Sequence, residues 1–261
     1  MPLPVPPDYT LVELEDVDST NEEAKRLADG GAPHLTAVWA RRQTAGRGRR
    51  DRQWISPPGN MFWSVILRPA ESWPAVSTLP LMTAVAVGRT LEGFLADPAS
   101  LQYKWPNDVL VAGRKVAGIL IETRLERRGE RAAPAATAFR WIVVGVGLNV
   151  AHHPPDTAYP ATDLRSESAA GATIESVVTR FSERFLATLR DWAGPAHARV
   201  LSEFRARLRG LGERVRISTS GDPLEGVMED LAPGGELLLR DAGGRLHRIS
   251  AGEVFFPRAD G

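Results

Sequence analysis

Of the 32 basic residues in this 261-residue chain only three are lysine, and two of those, Lys104 and Lys115, share one short stretch. It runs from Lys104-Trp105-Pro106-Asn107-Asp108 to Lys115-Val116-Ala117-Gly118. A chain that writes nearly every cation as arginine keeps an ammonium where a compact charge on a flexible stem is needed, since a planar guanidinium fork does not replace it. Asn107 and Asp108 add an amide and a carboxylate, and Gly118 leaves backbone open to close approach three residues past Lys115. The chemistry these groups offer is anion binding. Alone, it names no reaction.

A second stretch, Arg41 to Trp54, carries six arginines against one acid, with Gly46 and Gly48 among them. It has no apolar periodicity, which predicts a loop that moves when empty. Three readings stand at this point: a phosphate clamp that orders over a ligand with Trp54 as an aromatic face, a solvated basic loop, or a nucleic-acid patch. A third polar cluster, Asp18-Ser19-Thr20-Asn21-Glu22-Glu23, opens a predicted helix with Ala24, Leu27 and Ala28 on its apolar side. Ser19 with Glu22, and Thr20 with Glu23, have the spacing of a capping box. Such a cap also leaves hydroxyls and backbone N–H groups facing whatever lies beyond the helix start.

Other signals exclude chemistry. Gly145-Val146-Gly147 ends an apolar run, but position 150 is Val where a dinucleotide fingerprint needs a third glycine, and no Walker A string occurs. His152 and His153 are adjacent, without helical ligand spacing or a nearby carboxylate, so no metal site is expected. The chain has no cysteine, hence no disulfide and no thiolate nucleophile. Formal net charge is zero and hydrophobic content 43%, which suit a soluble globular protein with no global field for nucleic acid or membrane. The start lacks the basic and apolar regions of a signal peptide, and no apolar run approaches a membrane span. A cytoplasmic protein is expected.

The elements that must position these groups follow from pattern. Asp108 to Val111 and Lys115 to Thr123 read as a hairpin turning at Ala112-Gly113-Arg114, and Pro106 predicts an extended Trp105. Thr36 to Ala40, Asn60 to Arg68 and Phe139 to Val150 read as strands. Helices are predicted from Pro74 to Ala96, along Ile174 to Leu189 and from Val200 to Leu208, and Arg124 to Thr137 as an exposed excursion. After Gly210 come only short strands and turns, which mark a small, barrel-like β domain. The division expected is 1–210 and 211–261.

Taken in order, Asp18-Ser19-Thr20-Asn21, the Gln43 to Arg49 loop, Trp54 to Pro57, Lys104 to Asp108, Lys115 to Leu120 and Gly145 to Asn149 resemble the biotin–protein ligases. The resemblance implies an α+β fold: a class II aminoacyl-tRNA synthetase-like, mixed or antiparallel sheet flanked by helices, then a small SH3-like C-terminal domain. It implies activation of biotin by ATP to biotinyl-5′-AMP and transfer to a lysine of the biotin carboxyl carrier domain of acetyl-CoA carboxylase or a related carboxylase, with Mg2+. Ser19, Thr20, Asn21, Gln43, Gly46, Arg47, Gly48, Arg49, Lys115, Gly118 and Gly145 would meet biotin. Arg49, Trp54, Lys104, Asn107, Asp108, Lys115 and Asn149 would meet the nucleotide. Lys115, Arg49 and Asp108 would be catalytic, and no protein metal ligand is assigned. Only Met1 to Val17 precede the first motif, so a DNA-binding domain and a DNA partner are not expected; a monomer or homodimer is. The Gly46 to Arg49 loop and the Lys104 to Asp108 motif favour biotin over lipoate. The rival of a different class is a nucleic-acid module built on the arginine loop, which predicts salt-sensitive binding without ATP.

Overall fold

All seven residues of the third strand, Met61–Leu67, are buried, so both of its faces must be covered, and the layers of the molecule follow from that. The structure, a computed structural model, describes residues 3–70, 73–126, 139–155, 157, 159–169, 171–219 and 221–256. The strands β1 (Thr10–Val17), β2 (Thr36–Gln43), β3 (Met61–Leu67), β4 (Leu101–Lys104), β5 (Asp108–Val111), β6 (Arg114–Leu125) and β7 (Phe139–Leu148) form one sheet in the order β1-β2-β3-β7-β6-β5-β4. The pair β1–β2 is parallel, bridged by helix α1 (Thr20–Asp29); every other pair is antiparallel.

On one face Ala24 and Ala28 of α1 lie against Val38, Ile66, Trp141 and Val143. The opposite face presents Trp39, Trp63, Val65 and Leu67 to helices α2 (Leu79–Leu91) and α3 (Ile174–Ala193). Helix α2 is buried on nearly all sides, between the sheet and the pair α3 and α4 (His197–Ala206). Burial of Trp63, which has 0% exposure and an edge-on contact with Phe181, contributes on the order of 3 kcal/mol.

The predicted Pro74 to Ala96 helix starts later, at Leu79, after a 3₁₀ turn at Val76–Thr78. The capping box at α1 does not form: Ser19 caps without a side-chain bond, and the Thr20 N–H goes to Gln43 Oε1 at 2.8 Å. The reciprocal box is at α3 instead, between Thr173 and Ser176. The sequence pattern does not announce β1, β4 or the last strand, Glu253–Phe255; β1 is a half-exposed edge strand interleaved with acids, and the others have four and three residues. Most of the charged excursion, from residue 127 onward, lies outside the described residues.

The C-terminal strands β8 (Arg214–Ser218), β9 (Leu224–Leu231), β10 (Leu237–Arg240), β11 (Leu246–Ile249) and β12 (Glu253–Phe255) make a separate antiparallel sheet in the order β11-β10-β9-β8-β12. The overall class is therefore mixed α+β with a small antiparallel C-terminal unit. Trp105 joins the two parts: it stands in the turn between β4 and β5, not in an extended run, and its Nε1–H donates to Gly235 O at 2.9 Å. The Trp105–Pro106 peptide is cis. No helix among the described residues is long and apolar enough to cross a membrane.

Candidate active site

Two residues, Ala112 and Gly113, turn the β5–β6 hairpin, both at positive φ (49° and 74°), as a type I′ turn requires. A bulge follows, because Leu110 faces Lys115 while Val109 already faces Ala117. The extra residue, Val116, brings Lys115 and Gly118 onto one face, where regular alternation would set them on opposite faces. Lys115 Nζ comes within 3.3 Å of where a Gly118 Cβ would stand, and within 2.7 Å of Asp108 Oδ1. Asp108 is itself the cross-strand partner of Gly118. The bulge thus assembles ammonium, carboxylate and bare backbone at one point.

That point lies in a cavity of about 520 Å³, opening where the N-terminus of α1, the β2–β3 connection, the β5–β6 hairpin, β7 and β12 meet. Its lining carries six cations (Arg47, Arg49, Arg50, Arg52, Lys104 and Lys115) against the carboxylates of Asp108 and Glu253. Such an excess favours a ligand with several negative charges. Lys104 is only 3% exposed, and its ammonium sits 4.4 Å from the Tyr159 ring and 5.9 Å from that of Phe255. Burial pushes its pKa below the usual lysine value.

The arginine loop is folded over this cavity. Arg47 bridges to Gln53, Gly48 N–H donates to Arg52 O at 2.7 Å, and Trp54 N–H donates to Gly46 O at 2.9 Å. What holds it is polar and distant in sequence, so a search for apolar periodicity could not find it. Arg52 forms a forked pair with Glu253 on β12, Arg50 donates to Ser218 O at 3.2 Å, and Arg49 donates to Asn107 Oδ1 at 3.0 Å. The Trp54 ring lies on a glycine floor made by the cross-strand partners Gly118 and Gly147. Side chains there would meet it at 2.9 Å and 2.5 Å. Lys115 Nζ is 5.4 Å from the same ring, and the Trp54 Nε1 is buried with no hydrogen-bond partner among the described residues.

At the other end, Thr20, Asn21, Gln43 and Ser64 are linked: Thr20 Oγ1 lies 3.1 Å from Gln43 Oε1, and Ser64 Oγ donates within 2.6 Å of Asn21 Oδ1. Gln43 Nε2 donates to Ser56 Oγ at 2.9 Å.

The structure brings Ser19, Thr20, Asn21, Gln43, Arg47, Gly48, Arg49, Trp54, Lys104, Asn107, Asp108, Lys115, Gly118, Gly145 and Asn149 to the wall of this one cavity. Gly46 is not on the wall; a side chain there would strike Ser56 Oγ and Trp54 O at 2.4 Å, so its role is the loop's own crossing. Gly145 makes room for a protein group, since its Cβ would fall 2.0 Å from Asn21 Oδ1. The Asn149 amide donates to Thr162 O at 3.0 Å, and Thr162 N–H to Lys115 O at 2.9 Å, so the segment after Tyr159 is laced to the lysine strand. His153 does have a carboxylate, Asp163 at 2.6 Å, ten residues away. No cluster of three or more acids or histidines fit for a metal occurs among the described residues. Sequence reasoning missed Gly147, Tyr159, Glu253 and Phe255. Gly147 was visible in its motif, whereas the other three needed the tertiary fold.

Residues 14–133 match the Biotin/lipoate A/B protein ligase family, and residues 210–256 match the Biotin protein ligase C terminal domain. The chain is 36% identical to the biotin–[acetyl-CoA-carboxylase] ligase of Paracoccus denitrificans, over 93% of this chain and 99% of that one. It is 33% identical to the ligase of the same name from Mycobacterium tuberculosis, over 90% and 85% of the two chains. Among solved structures it is similar to the biotin protein ligase from Aquifex aeolicus in complex with biotin and ATP. That match has a TM-score of 0.76 and 28% identity, covering 94% of this chain and 97% of that one.

Proposed function

The chain belongs to the biotin/lipoate A/B protein ligase family and is a biotin–protein ligase, an ATP-dependent enzyme that attaches biotin to a carboxylase; from that premise we propose how its residues divide the work. The biotin head group lies at the α1 end, against Ser19, Thr20, Asn21 and Gln43, and the tail points toward Lys115. Arg47, Gly48 and Arg49 close over it. The nucleotide lies against Arg49, Trp54, Lys104, Asn107, Asp108 and Asn149. The observation that carries this reading is the joint placement of Lys115, Asp108 and Trp54 over Gly118.

In the first step a biotin carboxylate oxygen attacks the α-phosphorus of ATP, and the bond to pyrophosphate breaks. Both reactants are anions, so Lys115 and Arg49 offset their repulsion and stabilise the charge on the transferring group. The product is a mixed anhydride that water destroys, which is what the Trp54 lid and arginine loop keep out. In the second step the amine of the acceptor lysine attacks the acyl carbon and AMP leaves with the electron pair. Asp108 orients that amine and takes its proton. One carboxylate, Asp108, with the amide of Asn149 on the same wall, would suit a magnesium ion carried in on the triphosphate rather than caged by protein. Such an ion would neutralise phosphate charge.

The same reading takes the larger sheet as class II synthetase-like, the smaller as SH3-like, with the boundary near residue 210, and the acceptor as a biotin carboxyl carrier domain. The test is isothermal titration with biotin, lipoate and ATP, followed by mass spectrometry of the product. Tight biotin binding and biotinyl-AMP are expected; a response to lipoate alone would overturn the reading.

A further inference from the structure

Lys25, the third lysine, lies outside the cavity wall, yet it is the base of a chain of bonds that reaches it. Its ammonium is 2.7 Å from Glu22 Oε1 and 2.9 Å from Glu122 Oε1. The other Glu122 oxygen accepts from Asn21 Nδ2 at 2.9 Å. A carboxylate only accepts, so Glu122 dictates which end of the Asn21 amide faces it. Oδ1 is then turned to Ser64, whose hydroxyl has one proton and gives it to that oxygen at 2.6 Å. Thr20 Oγ1, 2.8 Å from Ser64 Oγ and 3.1 Å from Gln43 Oε1, must spend its own proton on one of these two acceptors. Gln43 Oε1 is fixed in turn by the Thr20 N–H. What Thr20 has left for the cavity is a lone pair.

We propose that Glu122, held by Lys25, is a positioning residue that sets the donor–acceptor polarity of this end of the cavity, and with it the preference for a cyclic urea presenting an N–H. The inference rests on the biotin reading of that end. Neither Glu122 nor Lys25 touches the ligand; each acts through Asn21. Glutamine at position 122 can donate as well as accept, so Asn21 is free to flip and turn its N–H to Ser64; Ser64 then gives its proton to Thr20 Oγ1, 2.8 Å away, and takes up a lone pair that the urea N–H would otherwise find. A mispaired polar contact of this kind is worth ~10-fold or more in binding.

The experiment titrates wild type, Glu122→Gln, Lys25→Arg and Lys25→Met with biotin and with its cyclic carbamate analogue, in which one ring N–H is replaced by oxygen. Wild type is expected to prefer biotin, and Glu122→Gln to shrink that preference ~10-fold with the KM for ATP unchanged. Lys25→Met follows Glu122→Gln, while Lys25→Arg retains the preference. An unchanged preference in both Glu122→Gln and Lys25→Met overturns the proposal, as does biotin affinity that falls with no change in the ratio. Should Glu122→Gln fail to fold, the two Lys25 variants decide it. A wild type that binds neither ligand overturns the biotin reading itself and takes this inference with it.

Discussion

A Cβ on Gly147 would stand 2.5 Å from the Trp54 indole, so the ring must move off its floor to admit one. Gly147→Ala is therefore expected to cost loop closure about 1–3 kcal/mol and to speed escape of biotinyl-AMP ~10-fold, measured by single-turnover release of the adenylate; an unchanged rate removes Trp54 as the lid. Asp108 invites a separate trial, because its carboxylate pairs with Lys115 at 2.7 Å. Asp108→Ala given synthetic biotinyl-AMP should transfer biotin to the carrier ~10²-fold more slowly, the usual scale for a lost general base. Transfer at the wild-type rate excludes that role. Most of these residues were legible in the sequence because types and spacing mark them: lysines in an arginine-rich chain, glycines on strands, an amide beside a carboxylate. The physical work of Gly145 and Asn149 was not legible. Each makes room for, or bonds to, a protein group distant in the chain.

Among the elements, β12 has three residues and the largest reach. Its Glu253 meets Arg52, and Arg50 stands 3.7 Å away, so the β2–β3 connection is fastened to a strand some 200 positions later. The Arg52 hydrogen bond holds the Glu253 carboxyl below its ordinary 4.5. A depressed carboxylate value contributes stability in full above the unfolded value, about 4.5, and loses it as pH falls through the lower folded one. Wild type and Glu253→Gln should accordingly differ in melting temperature at neutral pH and converge on acidification below about 4.5. Glu253→Gln should also expose the loop arginines to trypsin at pH 8, cleavage after Arg50 and Arg52 rising several-fold. Equal digestion of both proteins removes the fastening. The β5–β6 hairpin could be read from sequence because alternation and a turn pair announce it. Neither β12 nor the arginine loop could, since a short strand and a polar loop have no periodicity and their order comes from each other.

At the scale of the molecule, the two sheets share one cavity, and the strands of the second all follow Gly210, after the composition shift. What composition could not tell is that the second sheet supplies Glu253 and Phe255 to the cavity wall. The distribution of amines has a bearing on the enzyme's own fate. Lys104 is buried, Lys115 is paired with Asp108, and Lys25 with two carboxylates, while 29 other cations are guanidinium. An acyl adenylate that slips from the cavity acylates whatever amine it meets first, and guanidinium, charged at any working pH, is not one. Among the side chains, few amines are therefore open to the leaked product. Introducing one exposed amine, as in Arg199→Lys or Arg245→Lys, should therefore yield a self-biotinylated protein under turnover with no acceptor present. Peptide mass spectrometry would find the label at the new lysine, with Lys25, Lys104 and Lys115 unmodified.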